Sequence, residues 1–167
     1  IVAQHNGFID VSSMPGVGST FDIYLPNLDM DIRFSSEKPE GDIYYGNGQQ
    51  VLIVEDELAL REALAEVIGQ WQYDVLQAEN GEQAVALMSE LGSNVDLIVT
   101  DLVMPKMGGT AFVKALRQKG WETPILVMSG HPLDSDEDIL KRSGVFGILS
   151  KPLNPIQLSK AIFNALN

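Results

Sequence analysis

The sequence contains no cysteine and no long apolar run. Without cysteine the chain can form neither a disulfide framework nor a thiolate zinc site. Its apolar runs, such as residues 51–54 and 125–128, are far too short to cross a bilayer. No positively charged start leads into an apolar stretch, so no signal peptide is expected. These absences lead us to expect a cytoplasmic chain. The 167 residues, 45% of them apolar, predict one globular domain and a small extra piece.

Basic residues are also scarce, since 11 stand against 23 acidic ones and the net charge is −12. A surface of this charge repels phosphate backbones, so we expect no nucleic-acid partner and no direct membrane contact. Composition alone leaves two alternatives, a solvated acidic face or acids that gather into a cation site. The positions of the acids along the chain distinguish them.

Three regions differ in pattern. Residues 1–27 alternate apolar and polar around strong turn signals, which predicts a two-stranded hairpin with a loop. Residues 28–50 are polar and predict an extended or mobile linker. Residues 51–167 alternate short apolar runs with helical patterns, which predicts an α/β domain.

The α/β region has five strand candidates. They lie at residues 51–54, 75–76, 97–99, 125–128 and 147–149. Continuous apolar runs are typical of parallel strands that helices cover on both faces. Right-handed crossovers bring the carboxyl ends of all such strands to one edge, where ligands of these sheets bind.

Polar and charged residues follow four of these strands. Glu55 and Asp56 follow the first, Asp101 the third, Ser129 the fourth and Lys151 the fifth. Crowded carboxylates repel one another unless a cation lies among them, and oxygen ligands in a loop suit Mg²⁺. An aspartate, a hard cation, a lysine and a hydroxyl at one edge predict a phosphoryl-transfer site.

Four stretches in order resemble the receiver domain of two-component response regulators. They are VLIVEDE (51–57), DLIVTDLVMPKMGG (96–109), PILVMSG (124–130) and LSKPL (149–153). The resemblance covers 51–167 and implies a flavodoxin-like fold, with a five-stranded parallel sheet in the order 2-1-3-4-5. It also implies a role in phosphorelay signalling, with a phosphoryl group taken from the phosphohistidine of a histidine kinase or a phosphotransfer domain.

The resemblance assigns roles to the residues at the strand ends. Asp101 corresponds to the phosphoryl acceptor and Asp56 to a direct Mg²⁺ ligand, with Mn²⁺ as an alternative ion. Glu55 would hold the metal through water, and the backbone carbonyl of Val103 would be a further ligand. Asp101 itself completes the metal set.

Two further residues complete the expected site. Ser129 would turn toward the bound phosphoryl group and Lys151 would pair with its oxygens, next to a Lys151–Pro152 bond that is often cis.

This sequence departs from the family pattern at the position that switches on activation. That position is often aromatic but is Ile148 here, so the switch is muted or Phe146 takes a related part. Val103 and His131 stand at the two positions that tune phosphoryl lifetime in the family. Val103 cannot orient an attacking water, whereas His131 would either orient one or shield the group. We expect a long-lived phosphoryl group.

The amino-terminal region resembles the last two strands of a histidine-kinase ATP-binding domain. The matching stretches are IVAQHNGFI (1–9), PGVGSTF (15–21) and IYLP (23–26). The order of the two regions implies a hybrid histidine kinase, whose parent protein could be membrane-anchored upstream. This chain lacks the glycine-rich ATP-binding boxes, so we expect no stand-alone enzyme. The hairpin would pack on the receiver, form a dimer through its open edge, or be disordered.

Two other functions compete with phosphoryl acceptance. An aspartyl-phosphate phosphatase usually has a second aspartate two residues after the nucleophile, where this chain has Val103. A phosphorylation-independent interaction module usually loses the acceptor, an acid or the lysine, and all three are present here. Both alternatives are therefore disfavoured.

Overall fold

The computed structural model describes residues 2, 8–16, 18–24, 42–91, 94–130, 140 and 143–167. The chain divides into two compact units, Ile1–Glu40 and Gly41–Asn167. His131, residues 25–27 at the end of the predicted hairpin region and residues 28–41 of the predicted linker lie outside the described residues.

The first unit contains the predicted hairpin. Strands β1 (Phe8–Met14) and β2 (Gly18–Tyr24) are antiparallel, and Phe8 stacks on Tyr24 with ring centroids 4.5 Å apart. Gly16 in the turn has a φ of 76°, a left-handed conformation that glycine adopts without strain. The glycines of this loop are thus explained by turn geometry.

The second unit contains the predicted parallel sheet. Its strands are β3 (Gln50–Val54), β4 (Asp74–Ala78), β5 (Leu97–Asp101), β6 (Ile125–Ser129) and β7 (Gly147–Ser150). Their order is β4-β3-β5-β6-β7 and all four pairings are parallel. This is the order 2-1-3-4-5 expected from the sequence, so the fold prediction is confirmed.

Helices cover both faces of this sheet. They are α1 (Leu58–Gln70), α2 (Gly81–Leu91), α3 (Gly109–Gln118) and α4 (Pro155–Leu166). Alternate residues of the central strands point to opposite faces of the sheet and belong to two buried clusters. One cluster includes residues of α2 and α3, and the other includes residues of α1 and α4. None of the helices in the described ranges is long and apolar enough to span a membrane.

Helix α4 begins where the sequence predicts. The Asn154 side chain accepts hydrogen bonds from the backbone N–H groups of Ile156 and Gln157, and Pro155 occupies the first turn. This cap satisfies donors that the helix itself leaves unpaired. Helix α4 therefore begins four residues after Lys151, and its Leu158 and Ile162 pack in the buried cluster on the sheet face.

Residues 42–49, part of the predicted linker, lie against the second unit. Ile43 packs on the α1–α4 cluster, and the Tyr44 ring lies 5.0 Å from the Phe163 ring. The Gly46 N–H donates to the Trp71 carbonyl at 2.8 Å, and the Gly48 N–H donates to the Gln72 carbonyl at 2.9 Å. The ordered second unit therefore includes residues before the first strand of its sheet.

Tyr73 gives a pH-dependent stability prediction. Burial raises its pKa above the usual 10.0, because the phenolate is poorly solvated there. The resulting stability is fully present below pH 10.0 and is lost as pH rises through the raised folded pKa. Urea unfolding measured at several alkaline pH values should therefore show that the free energy of unfolding falls more steeply with pH in wild type than in Tyr73→Phe. Equal slopes would contradict the prediction, since other alkaline titrations are common to both proteins.

Candidate functional site

The carboxyl ends of β3, β5 and β7 bring three charged residues to one edge of the sheet. Glu55 follows β3 and is only 2% exposed, and Asp101 ends β5 with 9% exposure. Lys151 follows β7 and is half-buried. Its backbone N–H donates to the Ser129 carbonyl at 2.7 Å, which ties the loop after β7 to the end of β6.

The Lys151 ammonium bridges the two buried acids. Its Nζ lies 2.9 Å from Glu55 Oε2 and 3.1 Å from Asp101 Oδ2. Burial lowers the pKa of Lys151, but hydrogen bonds to Glu55 and Asp101, with their charges, outweigh that effect and raise it above the usual 10.5. The Lys151 ammonium is therefore charged at neutral pH.

The same edge carries a group of carboxylates suited to a metal ion. One oxygen from each of Glu55, Asp56 and Asp101 lies within 4.8 Å of the others. Asp56 is exposed while the other two are buried, so the group opens to solvent on one side. An oxygen-only set that leaves room for water and a substrate oxygen fits Mg²⁺.

Backbone contacts fix the Asp101 side chain. Asp101 Oδ1 accepts a hydrogen bond from the Leu102 N–H at 2.7 Å, which leaves Oδ2 directed at Lys151. The Leu102 carbonyl in turn accepts from the Gly109 N–H at 2.9 Å. The first residue of α3 thus holds the loop that follows Asp101.

Gly109 tests this support. A Cβ at this position would lie 2.5 Å from the Asp101 carbonyl oxygen and 3.0 Å from Leu102 Cα, both backbone atoms. Gly109→Ala should therefore force α3 from the loop and lower the free energy of unfolding by about 1–3 kcal/mol. Gly69→Ala in α1 is the control: no atom lies within 4 Å of its added Cβ, and it should gain up to about 1 kcal/mol of helix propensity. Equal urea midpoints for the two variants would refute the account.

The other predicted positions lie around this group. Ser129 ends β6 and is 3% exposed, and Val103 is exposed. Ile148 lies in β7 and packs against the α2–α3 cluster, whereas Phe146 is exposed. The Lys151–Pro152 bond is cis, as the resemblance implied. The assigned roles of Ser129, Val103 and Ile148 stay predictions.

Arg61 was not predicted from the sequence. Its Nη1 donates to the backbone carbonyl of Glu55 at 2.6 Å and reaches that of Asp56 at 3.5 Å. Every residue has a backbone carbonyl, so a hydrogen bond to one cannot be predicted from the pattern of side chains. The one available signal was a cation close to the amino terminus of α1, the end of a helix that disfavours positive charge.

A parallel sheet that helices cover on both faces, with acids and a lysine at its carboxyl edge, defines the doubly wound class of α/β domains, whose ligands bind at that edge. The model of the response regulator receiver domain family matches residues 51–163. The chain therefore belongs to the response regulator receiver domain family of two-component systems.

Curated relatives and solved structures agree with this assignment. The chain is 33% identical over 97% of its length to the Sensor kinase CckA of Brucella abortus, of which it covers 18%. It is 35% identical over 65% of its length to the Transcriptional regulatory protein AruR of Pseudomonas aeruginosa, of which it covers 46%. The chain thus spans less than half the length of either relative.

Two solved structures share the fold. The chemotaxis response regulator CheY4 of Vibrio cholerae superposes with a TM-score of 0.65 at 31% identity, over 72% of this chain and all of that chain (100%). The receiver domain from Hybrid Histidine Kinase CckA gives 0.60 at 29% identity, over 71% of this chain and 99% of that chain. Both superpositions cover nearly the whole of the compared domain.

Proposed function

We propose that this receiver accepts a phosphoryl group on Asp101 from a phosphohistidine, in a Mg²⁺-dependent step. The observation that carries the proposal is the position of Lys151 Nζ, 3.1 Å from Asp101 Oδ2 and 2.9 Å from Glu55 Oε2. This contact places a cation beside the proposed nucleophile in a largely buried pocket, where charge stabilisation is strong.

The chemistry follows from the two oxygens of Asp101. An oxygen of the carboxylate attacks phosphorus, the bond from phosphorus to the imidazole nitrogen breaks, and the imidazole leaves with the electron pair. The product is an acyl phosphate on Asp101. Lys151 pairs with a phosphoryl oxygen, and Ser129 donates its hydroxyl to another once the group has arrived.

The acidic residues would hold the metal. Asp56 and Asp101 are the proposed direct ligands, with the Val103 carbonyl, and Glu55 acts through water. The three carboxylates, with oxygens within 4.8 Å of one another, fit a hard cation. When bound, Mg²⁺ neutralises charge on the phosphoryl oxygens.

Intact-mass measurement tests this function. The protein is incubated with a small acyl phosphate, once with Mg²⁺ and once with a chelator. Stable addition of one phosphoryl mass in Mg²⁺ alone supports phosphoryl acceptance. Rapid turnover of the donor without a stable adduct would indicate a phosphatase, and neither adduct nor turnover would indicate an interaction module.

We further propose that the intact protein is a hybrid histidine kinase. The alignment with Sensor kinase CckA covers 97% of this chain, so it includes most of the segment before residue 51. That agrees with the resemblance of residues 1–27 to the end of an ATP-binding domain. An intact protein that transfers phosphate from ATP to Asp101 would support this proposal, and one that binds no ATP would contradict it.

The phosphoryl group on Asp101 is expected to be long-lived. Val103, two residues after the acceptor, has an apolar side chain that cannot orient an attacking water, and it is exposed. Purified phosphoprotein followed by intact mass in Mg²⁺ should lose its label slowly. A half-life of seconds would contradict the prediction, and Val103→Asn, which restores a polar group, should shorten the lifetime.

A further inference from the structure

We infer that Arg61 is a positioning residue for the proposed Mg²⁺ site. Among the described residues, its guanidinium makes no hydrogen bond to Asp101. It donates instead to the backbone carbonyl of Glu55 at 2.6 Å and reaches that of Asp56 at 3.5 Å. One side chain on α1 thereby holds both peptide units that carry the acidic pair.

The local sequence would not select arginine here for helix stability. Helix α1 starts at Leu58, has no acidic residue in its first turn, and has no side-chain cap from Glu57. A positive charge near this end opposes the helix dipole and so costs some helix stability. The contacts with the two carbonyls offset that cost, because hydrogen bonds from a charged donor are stronger than neutral ones.

The consequence for the metal site concerns geometry. Mg²⁺ demands near-ideal octahedral coordination, so a small rotation of the Asp56 peptide would misplace its carboxylate. Groups that orient metal ligands typically change affinity tenfold or more when removed. The inference rests on the proposed function, because it concerns the metal which that function requires.

Mg²⁺ affinity tests the inference through the direction of the effect. Deleting a positive charge near a cation site should by itself tighten Mg²⁺ binding. If Arg61 positions the ligands, Arg61→Met should instead raise the Kd by about tenfold, measured by calorimetry on the full chain. The Kd of Arg61→Lys should lie between those of wild type and Arg61→Met, since a lysine ammonium keeps the charge but not the planar guanidinium. Lys160→Met, an exposed charge deletion on α4, should leave the Kd unchanged.

The outcomes separate this inference from the function itself. A wild-type protein that binds Mg²⁺ with a Kd equal to or above that of Arg61→Met overturns the positioning role alone. A wild-type protein that binds no Mg²⁺ overturns the proposed function and this inference with it. If Arg61→Met does not fold, Arg61→Lys decides: a raised Kd supports the role, and an unchanged or lower Kd overturns it.

Discussion

Phosphoryl uptake is expected to disappear in Asp101→Asn. The amide is nearly isosteric with the carboxylate but uncharged, so it is a poor nucleophile and forms no acyl phosphate. Its oxygen can still accept from the Leu102 N–H, which now binds Asp101 Oδ1 at 2.7 Å, so the fold should persist. Intact mass after treatment with Mg²⁺ and a small acyl phosphate should show the unmodified protein only.

Asp74→Asn is the matched control for this change. Asp74 is exposed and begins β4, at the opposite end of the sheet from the acceptor. The control should take up phosphoryl as wild type does, which shows that one lost acid is tolerated elsewhere. An Asp101→Asn protein that still gained one phosphoryl mass would mean that another residue is the acceptor.

Lys151→Met is expected to have opposite effects on phosphoryl uptake and Mg²⁺ binding. Uptake should fall roughly a hundredfold or more, because the ammonium at 3.1 Å from Asp101 Oδ2 no longer neutralises phosphoryl charge. Mg²⁺ should bind more tightly, because the ammonium competes with the metal for Glu55 and Asp101.

The same substitution should destabilise the metal-free protein. Glu55 is only 2% exposed and would lose the ammonium at 2.9 Å, leaving a buried carboxylate without that partner. We expect a loss of about 1–3 kcal/mol, at the low end because the Lys151 side chain is 24% exposed. Thermal unfolding should then show a larger gain from Mg²⁺ than in wild type. Lys114→Met removes an exposed charge on α3 and should leave both the metal-free stability and the stabilisation by Mg²⁺ unchanged. If Mg²⁺ stabilised Lys151→Met only as much as wild type, the prediction would be contradicted.

The sheet could be predicted because its signals are local. The runs at 51–54 and 125–128 are apolar throughout, which is typical of a strand buried on both faces, and they lie within β3 and β6. Since parallel strands end at one edge, the acids after β3 and β5 and the lysine after β7 had to converge. The gathering of Glu55, Asp101 and Lys151 follows from those two facts, whereas the strand order was implied by the resemblance to receiver domains.

Other features could not be predicted because their partners are distant in the chain. Residues 42–49 have few apolar side chains, and nothing local shows that Tyr44 packs on Phe163 or that Gly46 binds the Trp71 carbonyl. The contacts of Arg61 could not be predicted for a related reason, since its partners are backbone carbonyls. Such contacts depend on how distant segments pack together, so a local sequence pattern does not predict them.

Location of the phosphoryl group by peptide mapping tests the central claim most directly. Protein labelled with a small acyl phosphate in Mg²⁺ is digested, and the modified residue is identified by fragmentation. The account predicts a single phosphoryl group on Asp101, the carboxylate beside Lys151 Nζ. A group on any other residue, or no group on protein that has bound Mg²⁺, would contradict it.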